Sequence, residues 1–447
     1  MKKLLKGTIA AIASAILLAS CGSTSKVDIA AAYQAGDYDT CIEGIEARDS
    51  GSILNGLDSS MIHFMKKDYA ASGRRFTETQ AEMQAVSKDM TAGKTIEAAL
   101  IGENSVTYAG STYERILVYS MKAVDSFKLG NVPSAVGVMN DYTGNYKEEI
   151  SDLIAQQKEL ARSSESVIND PKVNQGADLL KSKGVNIPLS DLTSKGPQSS
   201  NAPVYEASPF LSYLGTLAYA ANGDSTHAND FATVLKSTNS KIDVSEDLSV
   251  PAGKGRLDVV ALADTIGKRS EKSEVVPIGS LFDVYVNFKL AYPVFEKQNH
   301  TVAVSKVTLS NGDSKSFTLI EDFDEAVKND VDSKAKGAYI RSVFRNITKA
   351  SAAVAGSVTA LEKASNPLAK KAASKALESG LAAVVDAEKA DIRQASYFPH
   401  TASAAGFTVE PGTYTVTVEY SNGAKDVIEN VAVVAGKPTV VISEKMN

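Results

Sequence analysis

Gly36-Asp37-Tyr38-Asp39-Thr40-Cys41 opens a short unit whose spacing recurs along the first half of the chain. A turn residue is followed five positions later by a small residue, Cys41, and nine positions later by an apolar one, Ile45. Such a turn residue ends a helix in a left-handed conformation. The small residue then lets two antiparallel helices touch, and the apolar residue packs on the next hairpin. The same spacing occurs at Lys67 with Ser72 and Phe76, at Gly130 with Ala135 and Met139, and at Gly223 with Ala228 and Ala232.

Helical periodicity accompanies these units from about Val27 to Ser240. Apolar residues recur at intervals of three and four, which is typical of amphipathic helices. The repeated unit resembles the turn and second helix of tetratricopeptide repeats. We therefore expect a tetratricopeptide-like helical hairpin domain over residues 27–240, with a generic bundle of helical hairpins as the alternative.

The second half alternates strand and helix patterns. Period-two alternation begins near Ile242, and Asn311-Gly312 is a strong hairpin signal. Residues 322–392 return to a helical pattern, and Asn366-Pro367 divides it into a hairpin. The sequence thus predicts a small antiparallel β-sandwich-like module over residues 250–447 with a helical insertion at about 322–392. The fold class is α+β.

The N-terminus has the three parts of a secretory signal. Lys2, Lys3 and Lys6 precede an apolar run of ten residues, 9–18, and the small-residue segment Leu18-Ala19-Ser20 follows. Ten residues are too few to span a bilayer, which needs about 20. The sequence predicts a signal peptide over residues 1–20.

Leu18-Ala19-Ser20-Cys21 resembles the lipobox of bacterial lipoproteins. The resemblance implies that Cys21 carries acyl chains such as palmitate, becomes the mature N-terminus and begins a lipidated tether at residues 21–26. An ordinary signal peptide with a chance cysteine is the alternative. Residue 22 is Gly instead of Asp, which in Gram-negative lipoproteins goes with delivery to the outer membrane. We expect a chain in the cell envelope, on the periplasmic face of the outer membrane.

Composition and spacing argue against several kinds of site. The net charge of −6 does not favour a nucleic-acid partner. The four histidines (His63, His227, His300 and His400) are far apart, and the chain has neither an HExxH nor a CxxC motif, so no metal site and no cofactor are predicted. Its carboxylates have spacings typical of solvated helix surfaces. We therefore expect a protein that is not an enzyme.

An aromatic cluster offers a candidate contact surface in the helical half. Tyr108, Tyr113, Glu114 and Tyr119 are the candidate residues for a partner-binding groove. The alternative is a hydrophobic core with tyrosine hydroxyls at its rim.

The order of these segments resembles a family of uncharacterised bacterial lipoproteins. The best local matches are the turn at Gly36, Tyr113-Glu114, residues 253–256 with Gly267-Lys268, and residues 391–399. Relatives tend to be encoded near lipoproteins that resemble activators of penicillin-binding proteins, which implies a link to cell-wall or outer-membrane biogenesis.

Together these features predict a membrane-anchored envelope lipoprotein that acts as a non-catalytic scaffold and binds other envelope proteins. A solute- or glycan-binding lipoprotein is the alternative. The chain has no Trp for stacking on sugars, and a small-molecule ligand is not the favoured partner.

Overall fold

The computed structural model describes residues 27–89, 100–166, 170–198 and 205–446. The predicted signal peptide and lipidated tether, with Cys21, lie outside the described residues. Helices fill the N-terminal part and strands follow, so the predicted α+β class is confirmed.

Helices pair into hairpins in the first half. The helices are α1 (Ile29–Ala35), α2 (Tyr38–Ala47), α3 (Ser52–Met65), α4 (Tyr69–Asp89), α5 (Thr112–Lys128), α6 (Val132–Ser166), α7 (Pro171–Ser182), α8 (Leu189–Ser194), α9 (Pro209–Asn222), α10 (Ser225–Thr238) and α11 (Ser245–Leu248). The pairs α1–α2, α3–α4, α5–α6 and α9–α10 pack as neighbours across short turns.

Each of these four turns contains the residue that the repeated spacing singles out. Gly36, Lys67, Gly130 and Gly223 all have positive φ, between 65° and 85°. The left-handed conformation ends the first helix and reverses the chain. The small residues five positions later, Cys41, Ser72, Ala135 and Ala228, are all buried where the helices meet.

In the part of the chain that the structure describes, ten strands form three sheets. They are β1 (Gly255–Thr265), β2 (Lys268–Leu281), β3 (Val284–Glu296), β4 (Val304–Leu309), β5 (Ser314–Ser316), β6 (Thr318–Asp322), β7 (Pro399–Val409), β8 (Gly412–Tyr420), β9 (Lys425–Val433) and β10 (Pro438–Lys445). Two sheets have four strands, in the orders β10-β1-β7-β6 and β5-β4-β8-β9. The third is the two-stranded ribbon β2-β3.

One strand pair corrects the expectation of a wholly antiparallel module. β1 and β10 run parallel, with Asp258 opposite Val440. The chain leaves β9 in one four-stranded sheet and enters β10 in the other. Because this connection changes sheets, β10 approaches β1 in the same direction instead of folding back on β9.

A long helical hairpin lies between β6 and β7. It consists of α12 (Phe323–Lys363) and α13 (Pro367–Ala387). Pro367 occupies the first turn of α13, and the Asn366 side chain accepts a hydrogen bond from the Ala369 N–H at 2.8 Å. α12 packs against β3 and against α13.

Strand β1 is covered on both faces. Leu257, Val259 and Ala261 pack in a cluster with the second four-stranded sheet. Val260 and Leu262 point the other way and join the core of the helical half. This alternation is the two-residue period of a strand, and it places β1 between the core of the helical half and a second core shared with the other four-stranded sheet. Among the described residues, no helix is both long and apolar enough to cross a membrane.

Candidate functional site

The residues predicted to line a groove lie mainly in the core. Tyr113, Glu114 and Tyr119 of α5 are buried, and Tyr108 is half-buried. Three of the four side chains therefore lie in a hydrophobic core, as the alternative interpretation predicts. Only Tyr108 reaches a surface cleft.

Glu114 ties α5 to the segment that precedes β7. Its carboxylate accepts hydrogen bonds from the Tyr108 hydroxyl at 2.5 Å, the Ser111 N–H at 2.6 Å and the Ala395 N–H at 2.8 Å. A buried carboxylate needs such donors. The contacts give Glu114 a structural task at the start of α5.

The cleft beside Tyr108 is small. Its volume is about 160 Å³, below the ~300–1,000 Å³ of typical small-molecule sites. Its Arg269 side chain donates to Asp330 at 2.6 Å and to the Ser111 hydroxyl at 2.7 Å, so the charge is already paired. The cleft does not favour a solute or glycan ligand.

At the wall of the cleft, arginines of α12 hold a buried ion network. Arg345 is fully buried and donates to Glu103 at 2.7 Å and to Glu388 at 3.0 Å. Arg341, one turn earlier, donates to both oxygens of Glu103 at 2.8 and 3.0 Å. Burial alone would raise the pKa of Glu103, but Arg341 and Arg345 outweigh burial and lower that pKa to about 2. The network joins three segments distant in sequence.

The β2-β3 ribbon presents an open backbone edge along β2. Among the described strands, β2 pairs with β3 only. Residues 272–275 of β2 are exposed, and the Val275 side chain is a large apolar group that is 57% exposed. An open strand edge is a template for pairing with another chain.

Two residues show which backbone N–H groups of β2 face away from β3. The Arg269 N–H donates to the Gln394 side chain at 3.1 Å instead of to β3, and Pro277 has no N–H. In an antiparallel pair, alternate residues direct their backbone groups to opposite edges. The N–H groups of Ser273 and Val275 therefore point away from β3.

The ribbon ends in a strained aromatic turn. Phe282 and Asp283 connect β2 to β3 with φ of +50° and +65°. Asn-Gly is the usual choice for such a turn, and a bulky residue there is an outlier. Phe282 is exposed, and Tyr285, the second residue of β3, is 74% exposed. Two aromatic rings thus stand in solvent at the tip of the ribbon.

A histidine–aspartate cluster lies at the start of α12. One ligand atom from each of His300, Asp324 and His400 lies within 4.8 Å of the others. The two imidazole rings stack with centroids 3.4 Å apart and planes 6° apart. Sequence spacing carries no signal for this cluster, because the histidines are separated by the whole α12–α13 insertion.

Comparison with known proteins identifies no relative. No family model matches the chain, and neither the curated proteins nor the solved structures include a match.

Proposed function

We propose that the protein is a lipid-anchored scaffold of the bacterial cell envelope that binds other envelope proteins without catalysing a reaction. The lipobox at residues 18–21 supports the anchor. In this proposal the helical hairpins are a degenerate tetratricopeptide-like array, and the two four-stranded sheets are a β-sandwich-like module.

The observation that carries the proposal is the open edge of β2. A 14-residue strand that pairs on one side only can accept an extended segment of another protein as a further strand. The exposed N–H groups of Ser273 and Val275 would donate to that segment. Phe282 and Tyr285 would supply apolar contact at the tip, since aromatic residues are enriched at protein interfaces.

The sequence of β2 protects this edge against indiscriminate pairing. Charged residues Glu271, Lys272 and Glu274 and the imino acid Pro277 are devices that limit edge-to-edge aggregation. A strand with an open edge and charged side chains is suited to pairing with a specific partner and not with any exposed strand. The cleft that Tyr108 lines is smaller than typical small-molecule sites, so the predicted groove residues do not support the solute-binding alternative.

Site-specific photocrosslinking in native cells tests the proposal. A photoreactive amino acid at Val275 is expected to give discrete protein adducts in the envelope fraction. Lys371, exposed on α13, is the matched control position. The same adducts from both positions would count against a specific edge, and wild-type chain free in the cytosol would count against the anchor.

Two substitutions separate backbone pairing from side-chain contact. Ser273→Pro removes an outward N–H and leaves the pairing with β3 in place, so adducts at Val275 are expected to disappear. Ser273→Ala keeps the N–H, and adducts are expected to persist. Persistence of the adducts in Ser273→Pro would overturn the strand-addition model.

A further inference from the structure

The His300–Asp324–His400 cluster has the donor set of a transition-metal site. Imidazole nitrogens with a carboxylate oxygen are ligands that suit zinc and related divalent ions. His300 comes from the segment between β3 and β4, Asp324 is the second residue of α12, and His400 is the second residue of β7. Three elements converge on one point.

The nitrogen and oxygen atoms are close to the spacing that a shared ion requires. His300 Nε2 lies 2.8 Å from Asp324 Oδ2, and His400 Nε2 lies 4.0 Å from the same oxygen. Two ligands about 2.1 Å from a tetrahedral ion are about 3.4 Å apart. Because the two imidazole rings are stacked, one ring must rotate about its Cβ–Cγ bond for the in-plane lone pairs of both Nε2 atoms to reach one ion.

The carboxylate is already oriented for this role. Asp324 Oδ1 accepts the Gly267 N–H at 2.6 Å, which leaves Oδ2 directed at the histidines. Asp322 Oδ1 lies 3.3 Å from His400 Nε2 and accepts the Asp324 N–H at 3.0 Å. Asp322 is therefore placed as a fourth ligand or as a hydrogen-bond partner of the site. Such outer contacts fix ligand geometry.

The segment that carries His300 is held by a strained residue. Asp264 has φ of +54°, and its Oδ2 accepts the N–H groups of Thr301 at 2.8 Å and Val302 at 3.1 Å. The same oxygen lies 3.7 Å from His300 Nδ1, which is buried without a hydrogen-bond partner among the described residues. A non-glycine residue with positive φ in such a position is often functional.

An open cavity of about 540 Å³ gives access to the cluster. Glu325, Lys297 and Lys328 are the other charged groups on its wall. Solvent can reach the histidines from this side, so a water molecule can complete the coordination of an ion.

We propose that His300 Nε2, His400 Nε2 and Asp324 Oδ2 bind one divalent transition-metal ion of the zinc class, with Asp322 as an auxiliary ligand. The bound ion would link the start of α12 to β7 and to the segment after β3. The proposal is independent of the protein-binding surface on β2.

Metal titration of the mature chain, purified without a polyhistidine tag and stripped with a chelator, tests the site. Zn²⁺ in competition with a chromophoric chelator is expected to bind in one equivalent. Co²⁺ is expected to give the intense visible absorption of a tetrahedral nitrogen–oxygen site. Absence of a stoichiometric, spectroscopically distinct site in the wild-type chain would overturn the proposal.

Variants identify the ligands. His300→Ala and His400→Ala are each expected to weaken Zn²⁺ binding by more than the about 10–100-fold that is typical of losing an outer-shell partner. His227→Ala is the matched control, because His227 lies 2.7 Å from Asp224 in an exposed pair that lacks a second histidine. If the His300 or His400 variants bound Zn²⁺ as tightly as the wild type, the cluster would be a set of hydrogen-bonded ion pairs and not a metal site. Thermal unfolding of the wild-type chain with and without Zn²⁺ gives a readout that needs no variant to fold.

Discussion

Helix α12 carries two clusters of charge that differ in how completely their members are paired. In the middle of the helix, Arg341 and Arg345 meet Glu103 and Glu388 in a buried network in which each charge has a partner of opposite sign. At its start, Asp324 faces two histidines beside an open cavity, and a nitrogen of His300 has no partner among the described residues.

The difference indicates that the arginine–glutamate network stabilises the fold, whereas the histidine–aspartate cluster is suited to binding an ion. A buried ion is tolerated when several hydrogen bonds replace its hydration. Arg345 meets this condition with two carboxylates. In the histidine–aspartate cluster the paired atoms are themselves possible metal ligands, and the cluster lines an open cavity through which an ion can exchange. Substitutions in the two clusters test this contrast.

The largest effect is expected from breaking the closed network. Glu103→Gln and Arg345→Met should each lower the free energy of unfolding by about 3–5 kcal/mol, because each removes one charged partner from a buried network of opposite charges. Urea unfolding followed by circular dichroism measures the change. The control is Asp332→Asn, which removes an exposed pair with Lys328 and should cost less than about 1 kcal/mol. Equal losses in the control and the network variants would contradict the contrast.

An intermediate effect is expected at Asp125, a buried carboxyl without a cation. Among the described residues no ion pair involves Asp125, and burial raises its pKa to about 8, with the neighbouring Ser72 hydroxyl acting in the opposite direction. The folded chain therefore holds a proton that the unfolded chain releases above about pH 4. Stability should fall as the pH rises from about 4 to about 8, because over this range the folded chain keeps a proton that the unfolded chain releases.

Asp125→Asn is expected to flatten this dependence, because the amide does not ionise. Urea unfolding at several pH values compares the two chains. Glu103 should act in the opposite sense, since its lowered pKa contributes stability above about pH 4.5 that is lost as the pH falls towards 2. If the free energy of unfolding of Asp125→Asn changed with pH as steeply as that of the wild type, groups other than Asp125 would control the pH dependence of stability.

The smallest effect is expected at the histidines of the open cluster. In metal-free protein, His300→Ala should lower the free energy of unfolding by about 1 kcal/mol, the usual value of a hydrogen bond, since solvent can replace the lost contact. The same urea assay applies. A loss of stability as large as that of Arg345→Met would show that the histidine cluster is structural, like the arginine–glutamate network.

Local patterns predicted many elements of the fold. The left-handed turns at Gly36, Gly130 and Gly223, the hairpin at Asn311-Gly312 and the start of α13 at Pro367 all lie where the sequence indicates them. Each depends on the conformational preference of one or two residues, and such preferences act over a few neighbouring positions.

No strand pattern marks β7 in the sequence, although β7 lies inside a sheet between β1 and β6. Its sequence, residues 399–409, is rich in Ala, Ser, Thr and Gly and lacks the alternation of large apolar and polar residues that marks a strand. Gly406 is needed there because a Cβ would approach the Arg256 guanidinium to 2.0 Å. Small residues at this point reflect close packing, which a local pattern does not reveal.

The sequence by itself determined the hairpins, most strands, the α+β order and the motif on which the expected anchor depends, because these follow from short-range spacing. Only the tertiary structure decided which charges meet. Glu103 reaches Arg345 across more than 200 residues, and His300 reaches His400 across the α12–α13 insertion. The physical reason is that an ion pair or a ligand cluster needs a separation of a few ångströms, and the packing of distant segments sets that separation.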